Sequence, residues 1–370
     1  MRQMDGPRSL PTPVWCPRPD SAPPMSMSPI GAAVAGRTAF VRLDPSSALL
    51  ACAPGQTVLA AALAAGIDLP YECASGSCGS CRARLVEGSV SPLWAAAPGL
   101  SERDRRKGDR ILCCQSVVQG DCVIQIQPRA GTPPVRPARW RTRVRGLRPL
   151  NPDVMHLVLQ ADHAVDFLPG QFMLFELPYG IGRRAYSMAN LPGINGRLEF
   201  IVKRKPGGLG CAYLFDGLRE GDAVHLEGPY GRAWLREDGA DDIVLLAGGS
   251  GLAPIWSIAQ AALRRWPRRR LRLYFGANRA EDLFWLEEIE QARRAMPALE
   301  ANLVLVQSSA ADPPAARIGL VAAVMAQDMG DAMTSDLYLA GPPGLVDSVL
   351  RDFVATGRAR ADRVFFDRFV

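Results

Sequence analysis

Histidine is scarce. The 370 residues contain three, His156, His163 and His225, and none lies near another. They offer no pair for a metal site or a proton relay, and each reads as a structural or surface residue. No apolar stretch approaches the ~18 to 20 residues that a membrane span needs. The first 36 residues, rich in Pro, Ser and Met, have no continuous apolar run, so they read as a disordered tail and not as a signal peptide. Long runs of one charge are also missing, although 43 basic residues face 37 acidic ones for a net +6. Arg103-Asp-Arg-Arg-Lys107 and Arg268-Arg-Arg270 are short and mixed with acids or aromatics. They read as solvated faces or docking patches, with no nucleic-acid footprint. There is no internal repeat. Nine cysteines without a secretory signal fit a reducing compartment, the cytoplasm, where thiols serve metals and stay unpaired. The length suggests two or three domains.

What is present begins with those cysteines. Cys73, Cys78 and Cys81 stand in the spacing C-x4-C-x2-C within Tyr71-Glu-Cys-Ala-Ser-Gly-Ser-Cys-Gly-Ser-Cys81, and a fourth thiol follows at Cys113 or Cys114. This is the plant-type ligand pattern for a [2Fe–2S] cluster, which needs four thiolates. Gly76 and Gly79 allow a loop tight enough to aim backbone N–H groups at sulfur. Buried cysteines acting as small hydrophobes would have no reason to gather in a Gly/Ser loop. Adjacent side chains on an extended segment point to opposite faces, so only one of Cys113 and Cys114 can reach the cluster, and periodicity does not choose.

Around this loop the pattern predicts strands at Thr38–Leu43, Ala83–Val90 and Cys122–Gln127, with helices at Thr57–Gly66 and Ser101–Gly108. Gly131-Thr-Pro-Pro-Val-Arg-Pro137 reads as a linker across which few contacts should pass. The middle third holds short apolar runs, Val154–Gln160, Gln171–Leu177, Arg197–Lys203 and Ala223–Glu227, which suggest a small antiparallel barrel. In the last third, strands at Ile243–Ala247, Leu271–Phe275, Asn302–Val306 and Leu337–Ala340 alternate with helices at Leu252–Trp266, Glu281–Met296, Leu320–Gln327 and Leu345–Thr356. That alternation predicts a doubly wound parallel sheet.

Two glycine loops and one basic strand carry further chemistry. Leu246-Ala-Gly-Gly-Ser-Gly-Leu-Ala-Pro254 lies between a strand and a helix, where backbone N–H groups and a positive helix end meet a pyrophosphate. Pro254 suits a first helical turn. Arg183-Arg-Ala-Tyr-Ser187 sets arginine beside an aromatic and a hydroxyl, suited to a phosphate and a flat ring, though a basic strand edge with a buried Tyr reads equally well. Pro206-Gly-Gly-Leu-Gly-Cys211 is a second phosphate cradle candidate.

Taken in order, these motifs resemble the reductase components of bacterial multicomponent oxygenases, most closely those of toluene and xylene monooxygenases. The resemblance rests on Tyr71–Cys81, Gly88–Trp94, Ala97–Leu100, Arg184–Ser187, Gly248–Pro254, Gly341-Pro-Pro343 and Phe366–Phe369, and covers about residues 37 to 370. It implies a β-grasp ferredoxin domain at 37–129, a linker at 130–138, an antiparallel β-barrel FAD domain at 139–238 and a parallel-sheet NAD domain at 239–370 with a C-terminal tail. The resemblance selects Cys114, the cysteine before Gln115, as the fourth ligand. It gives Arg184, with Ala185, to the FAD pyrophosphate, Tyr186 to the isoalloxazine face and Ser187 to its reactive nitrogen. Gly208, Gly210 and Cys211 form the cradle, with Ile201, Val202 and Lys203 lining the same site. Gly249, Gly251, Leu252, Ala253 and Pro254, with Gly341 and Pro342, hold the nicotinamide dinucleotide, and Phe369 lies beside the flavin. Cys211 stands where the family has Ser or Thr, a better donor to phosphate, and Ala340 stands where it has cysteine.

The implied activity is NADH oxidation through FAD and a [2Fe–2S] cluster, with Tyr186 and Ser187 nearest the chemistry. A hydride carries two electrons and a cluster takes one, so a flavin must lie between. The expected partner is a hydrocarbon-hydroxylating monooxygenase or its intermediary electron carrier, with no nucleic acid and no membrane. A ring-hydroxylating dioxygenase, a deoxysugar pathway or a cluster carrier with a degenerate reductase module are the alternatives. Glu281 and Asp282, after the second strand of the parallel unit, favour NADH over NADPH, with Arg279 the counter-argument.

Overall fold

The computed structural model describes residues 37–130, 135–193, 195–239, 242–310, 312–330 and 333–370. The expected tail at 1–36 and part of the expected linker lie outside these residues.

The first unit contains β1 (Ala39–Asp44), β2 (Leu49–Cys52), α1 (Val58–Ala64), β3 (Arg82–Glu87), β4 (Val90–Pro92), α2 (Glu102–Lys107), β5 (Arg110–Leu112), β6 (Ser116–Val118) and β7 (Cys122–Gln125). Its main sheet has the order β2-β1-β7-β3-β5, with β1 and β7 parallel and the other pairs antiparallel. Thr57 caps α1 by accepting from Ala60 N–H at 3.3 Å. Ser101 and Asp104 form a capping box on α2, and Gly108 ends it in the left-handed region at φ 73°. The Ala-rich α1 buries nearly its whole length against the sheet, which leaves the cysteine loop at the sheet's edge.

The second unit contains β8 (Ala138–Asn151), β9 (Val154–Ala161), β10 (Phe172–Leu177), β11 (Gly182–Ser187), β12 (Arg197–Lys203), the short α3 (Leu209–Ala212) and β13 (Ala223–Tyr230). These six strands form one antiparallel sheet in the order β11-β10-β13-β8-β9-β12. The sheet curls until its ends meet at the Met188–Phe200 bridge, which gives the expected barrel. The sequence pattern missed β8. Arginines at 139, 141, 143 and 145 face outward while Thr142 and Val144 are buried, so the apolar half of the alternation is thin.

The third unit contains β14 (Ile243–Gly248), α4 (Leu252–Arg265), β15 (Leu271–Ala277), α5 (Leu286–Ala295), β16 (Leu299–Leu305), β17 (Arg317–Ile318), α6 (Val321–Met329), β18 (Asp336–Gly341), α7 (Pro343–Val349) and β19 (Val364–Arg368). Its sheet, β17-β16-β15-β14-β18-β19, is parallel throughout and packs helices on both faces, as the alternating pattern implies. The helix expected over Glu281–Met296 is shorter, because Leu283, Phe284 and Trp285 turn into the core and Trp285 takes φ 57°. The terminal strand β19 was not foreseen. Among the described residues no helix is long and apolar enough to cross a membrane.

The first two units share a core. Phe172, Leu174 and Tyr230 of the barrel pack in one apolar cluster with Leu69, Tyr71 and Ala74 of the cysteine-bearing unit. The linker composition suggested sparse contact here. The barrel instead presents aromatic side chains on this face, and they are covered.

Candidate functional site

The cysteine loop turns through Ala74, Gly76 and Gly79, all with positive φ. A side chain on Gly79 would meet the Gly99 carbonyl oxygen at 2.8 Å, so close backbone approach requires glycine there. Gly99 N–H donates to Gly76 O at 2.9 Å and packs a second loop onto the first. Arg105 of α2 holds that second loop by donating to the Ala97 and Leu100 carbonyls.

Four thiols converge in two pairs. Cys78 N–H donates to Cys73 Sγ at 3.4 Å, and Cys81 Sγ lies 3.3 Å from Cys114 Sγ. The Cys73 thiol donates to Cys78 and pulls it down to about 4, and Cys114 lowers Cys81 in the same way. Cys113 is fully buried in the core, and burial pushes its thiol up. Two tetrahedral irons joined by two sulfides leave two corners each for thiolate. Two thiol pairs, one of them accepting from the Cys78 and Ser80 backbone N–H groups, supply that donor set, so the residues fit a [2Fe–2S] cluster.

Beside this loop a cavity of about 1340 Å³ runs between the three units. Strand β11 brings Arg184, Ala185, Tyr186 and Ser187 to its wall, and β12 brings Ile201 and Lys203. Val202 turns into the barrel core, as strand alternation requires. Alternation also sorts the two arginines. Arg184 lines the cavity, while Arg183 is buried in ion pairs with Glu176 at 2.7 Å and Glu227 at 3.1 Å. Tyr186 packs edge-on to Phe175 with ring centroids 4.8 Å apart, and burial raises its hydroxyl well above the usual range.

Gly208, Gly210 and Cys211 also line the cavity. The Cys211 thiol is engaged within its own loop, accepting from Lys205 N–H at 3.0 Å with the Gly208 carbonyl 3.1 Å away. It closes the cradle whose backbone faces the cavity. In the dinucleotide-type unit, Gly249, Ala253 and Pro342 reach the cavity. Gly251 does not, because a side chain there would meet the Ala340 carbonyl oxygen at 2.1 Å. That contact seats the start of α4 on β18, with Leu252 and Pro254 buried behind it. Gly341 likewise lies against the Gly248 backbone. These glycines therefore shape the turn, and their neighbours face the open space.

Three lining residues were not foreseen. Trp94, from the cysteine-bearing unit, stacks under the Arg184 guanidinium at 5.3 Å. Asp367 on β19 is half-buried at the cavity wall. Desolvation pushes it up to about 7, while the Ser187 hydroxyl, donating to it at 3.4 Å, opposes that rise. Arg368 pairs with Asp347 of α7 at 2.8 Å and approaches Glu72 at 3.8 Å. The ending Phe366–Phe369 gave a signal, but without β19 only Phe369 could be assigned, and it too lines the cavity. At the far end of the cavity lie Ala277, Asn278 and Asp282. Asp282 accepts from the Arg279 N–H at 3.1 Å, and the Arg279 guanidinium is held by Gln307 at 2.8 Å and Glu281 at 3.6 Å.

Three family descriptions match the chain in succession. The 2Fe-2S iron-sulfur cluster binding domain covers residues 41–119, the oxidoreductase FAD-binding domain 144–234 and the oxidoreductase NAD-binding domain 245–351. The chain is 50% identical over 326 residues to the ferredoxin--NAD(+) reductase component of an alkene monooxygenase system from Xanthobacter autotrophicus, covering 86% of this chain and 97% of that one. It is 34% identical over 316 residues to the xylene/toluene monooxygenase electron transfer component of Pseudomonas putida, covering 85% and 89%. Among solved structures, the ferredoxin reductase in carbazole 1,9a-dioxygenase superposes with a TM-score of 0.80 at 31% identity, over 90% of this chain and 99% of that one.

Proposed function

Because the chain belongs to the reductase components of multicomponent oxygenases, we propose that it passes electrons from NADH to a hydrocarbon-hydroxylating monooxygenase, directly or through a ferredoxin. The observation that carries the reading is one shared cavity on which the cysteine loop, β11 and the Gly248–Ser250 turn all open. A cluster carrier with a degenerate reductase half would have no need of it. When bound, FAD accepts two electrons from NADH and gives them up singly, and the cluster stores one at a time.

The chain's own residues bind and orient. Cys73, Cys78, Cys81 and Cys114 hold the cluster. Arg184 and the Gly208–Cys211 backbone would hold the FAD phosphates, and Tyr186 and Phe369, both on the cavity wall, would pack against the flavin ring. The Ser187 hydroxyl is oriented by Asp367 and kept out of bulk water. The Gly249–Pro254 turn with Gly341 and Pro342 seats the nicotinamide dinucleotide at a helix start. No side chain has to supply a catalytic proton, which suits a chain so poor in histidine. The monooxygenase is preferred over a dioxygenase partner because of the 50% identical relative. A cytoplasmic location belongs to the same proposal, supported by the NADH donor and by the unpaired cysteines among the described residues.

Reconstitution tests this reading. Purified protein should contain FAD and a cluster, oxidise NADH, and support product formation by a hydrocarbon-hydroxylating monooxygenase from the same organism. NADH oxidation without electron delivery to that monooxygenase, at any ratio of the two proteins, would remove the proposed partner.

A further inference from the structure

The segment that leads into the first cluster ligand, Asp68-Leu-Pro-Tyr-Glu-Cys73, is held by the barrel unit at Asp68 and Tyr71, while its Glu72 faces Arg368 of the third unit. Both Asp68 carboxylate oxygens accept from Arg232, at 2.7 and 2.5 Å. The Tyr71 hydroxyl accepts from Gly231 N–H at 3.2 Å. The Tyr71 ring lies edge-on to Tyr230 with centroids 6.0 Å apart, and the Arg232 guanidinium lies 5.5 Å from the same ring. Tyr230 in turn stacks on Phe172 and donates to Glu227 at 2.6 Å, and Glu227 is fixed by Arg183. The anchor is therefore rigid on the barrel side. On the other side, Asp68 O accepts from Arg129 N–H at 2.7 Å, which ties the segment to the end of its own unit.

From this geometry we infer that Asp68, Tyr71 and Arg232 form a clamp that fixes the cluster loop against the flavin cavity, and that the ferredoxin unit takes and delivers electrons while docked. The inference rests on the function proposed above and names Arg232 as a positioning residue. Electron tunnelling falls steeply with distance, so a clamp on the residues next to Cys73 sets the rate between the two redox groups without touching either. Net stability is a poor account of the pair. Burial pushes Asp68 up and Arg232 down despite their bidentate contact, and a half-buried ion pair of this kind contributes more to register than to folding free energy. Tight docking also assigns the partner's approach. It must reach the cluster at the half-exposed Cys78–Ser80 stretch of the cysteine loop, because Cys73 and Ser75 face the flavin cavity.

The test uses the full chain with Arg232→Gln, Arg232→Lys and Asp68→Asn. FAD and cluster content and the rate of flavin bleaching by NADH should match the unaltered protein. Cluster reduction after flavin bleaching should slow at least tenfold in Arg232→Gln and Asp68→Asn, and recover partly in Arg232→Lys, which keeps the charge and loses the bidentate fork. Amide hydrogen exchange over residues 68–73 should rise in the same order. If Arg232→Gln fails to fold, Asp68→Asn alone carries the comparison. Wild-type cluster reduction together with faster exchange would overturn the clamp, as would faster delivery to the partner in the variants. Absence of flavin or of NADH oxidation in the unaltered protein would defeat the functional reading instead, and unchanged exchange in the variants would still defeat the clamp.

Discussion

At the scale of single residues, the choice between two neighbouring thiols decides whether the cluster forms. Cys113 and Cys114 differ in face and not in chemistry. Cys114 stands 3.3 Å from Cys81, whereas Cys113 is fully buried in the core and its N–H and carbonyl are tied to Cys81 and Leu59. Cys114→Ser should abolish or badly damage the visible and EPR signature of the cluster. Cys113→Ser should keep it, with a modest loss of stability from placing a hydroxyl in an apolar site. Loss of the signature in Cys113→Ser alone would reverse the assignment. Spacing named three ligands and left the fourth open, because alternation tells two adjacent residues apart only once the fold says which face the cluster occupies. The same holds at Arg183 and Arg184. Both looked able to bind a phosphate, and only the register of β11 sends one to the cavity and the other into a buried ion pair.

At the scale of elements, most strands and helices were legible because their apolar positions repeat with period 2 or 3.6 over enough residues. Those missed had weak or hidden patterns. β8 alternates arginine with single residues of which only Thr142 and Val144 are buried, and β19 is too short to show a period and follows a loop. The cost of missing β19 was functional, since it carries Asp367 to Ser187 and Phe369 to the cavity. The loop after β15 bears on donor choice. An acid here accepts from a ribose 2′-hydroxyl and repels a 2′-phosphate. The Arg279 guanidinium that could have welcomed that phosphate is already engaged by Gln307 and Glu281. NADH should therefore be preferred over NADPH by at least tenfold in kcat/KM, and Glu281→Ala with Asp282→Ala should narrow that ratio mainly through KM for NADPH. Equal kcat/KM for the two donors in the unaltered chain would remove the preference.

At the scale of the whole molecule, three folds each read well from sequence, but their arrangement did not. A proline-rich connection suggested loosely joined units. The structure instead places barrel aromatics and cluster-loop residues in one core, and all three units on one cavity. Composition reports on segments, while contact between units depends on which faces the folded barrel leaves apolar, and that emerges only with Phe172, Leu174 and Tyr230 in place. With the function proposed above, electrons move inside one chain in the order NADH, flavin, cluster. Anaerobic rapid mixing of the full chain with NADH, followed by flavin absorbance and freeze-quench EPR of the cluster, tests this most directly. Flavin bleaching should come first and the reduced-cluster signal should rise behind it, with Cys114→Ser showing the bleaching alone. A cluster signal that appears ahead of flavin bleaching, or NADH that leaves the flavin oxidised, would contradict that order.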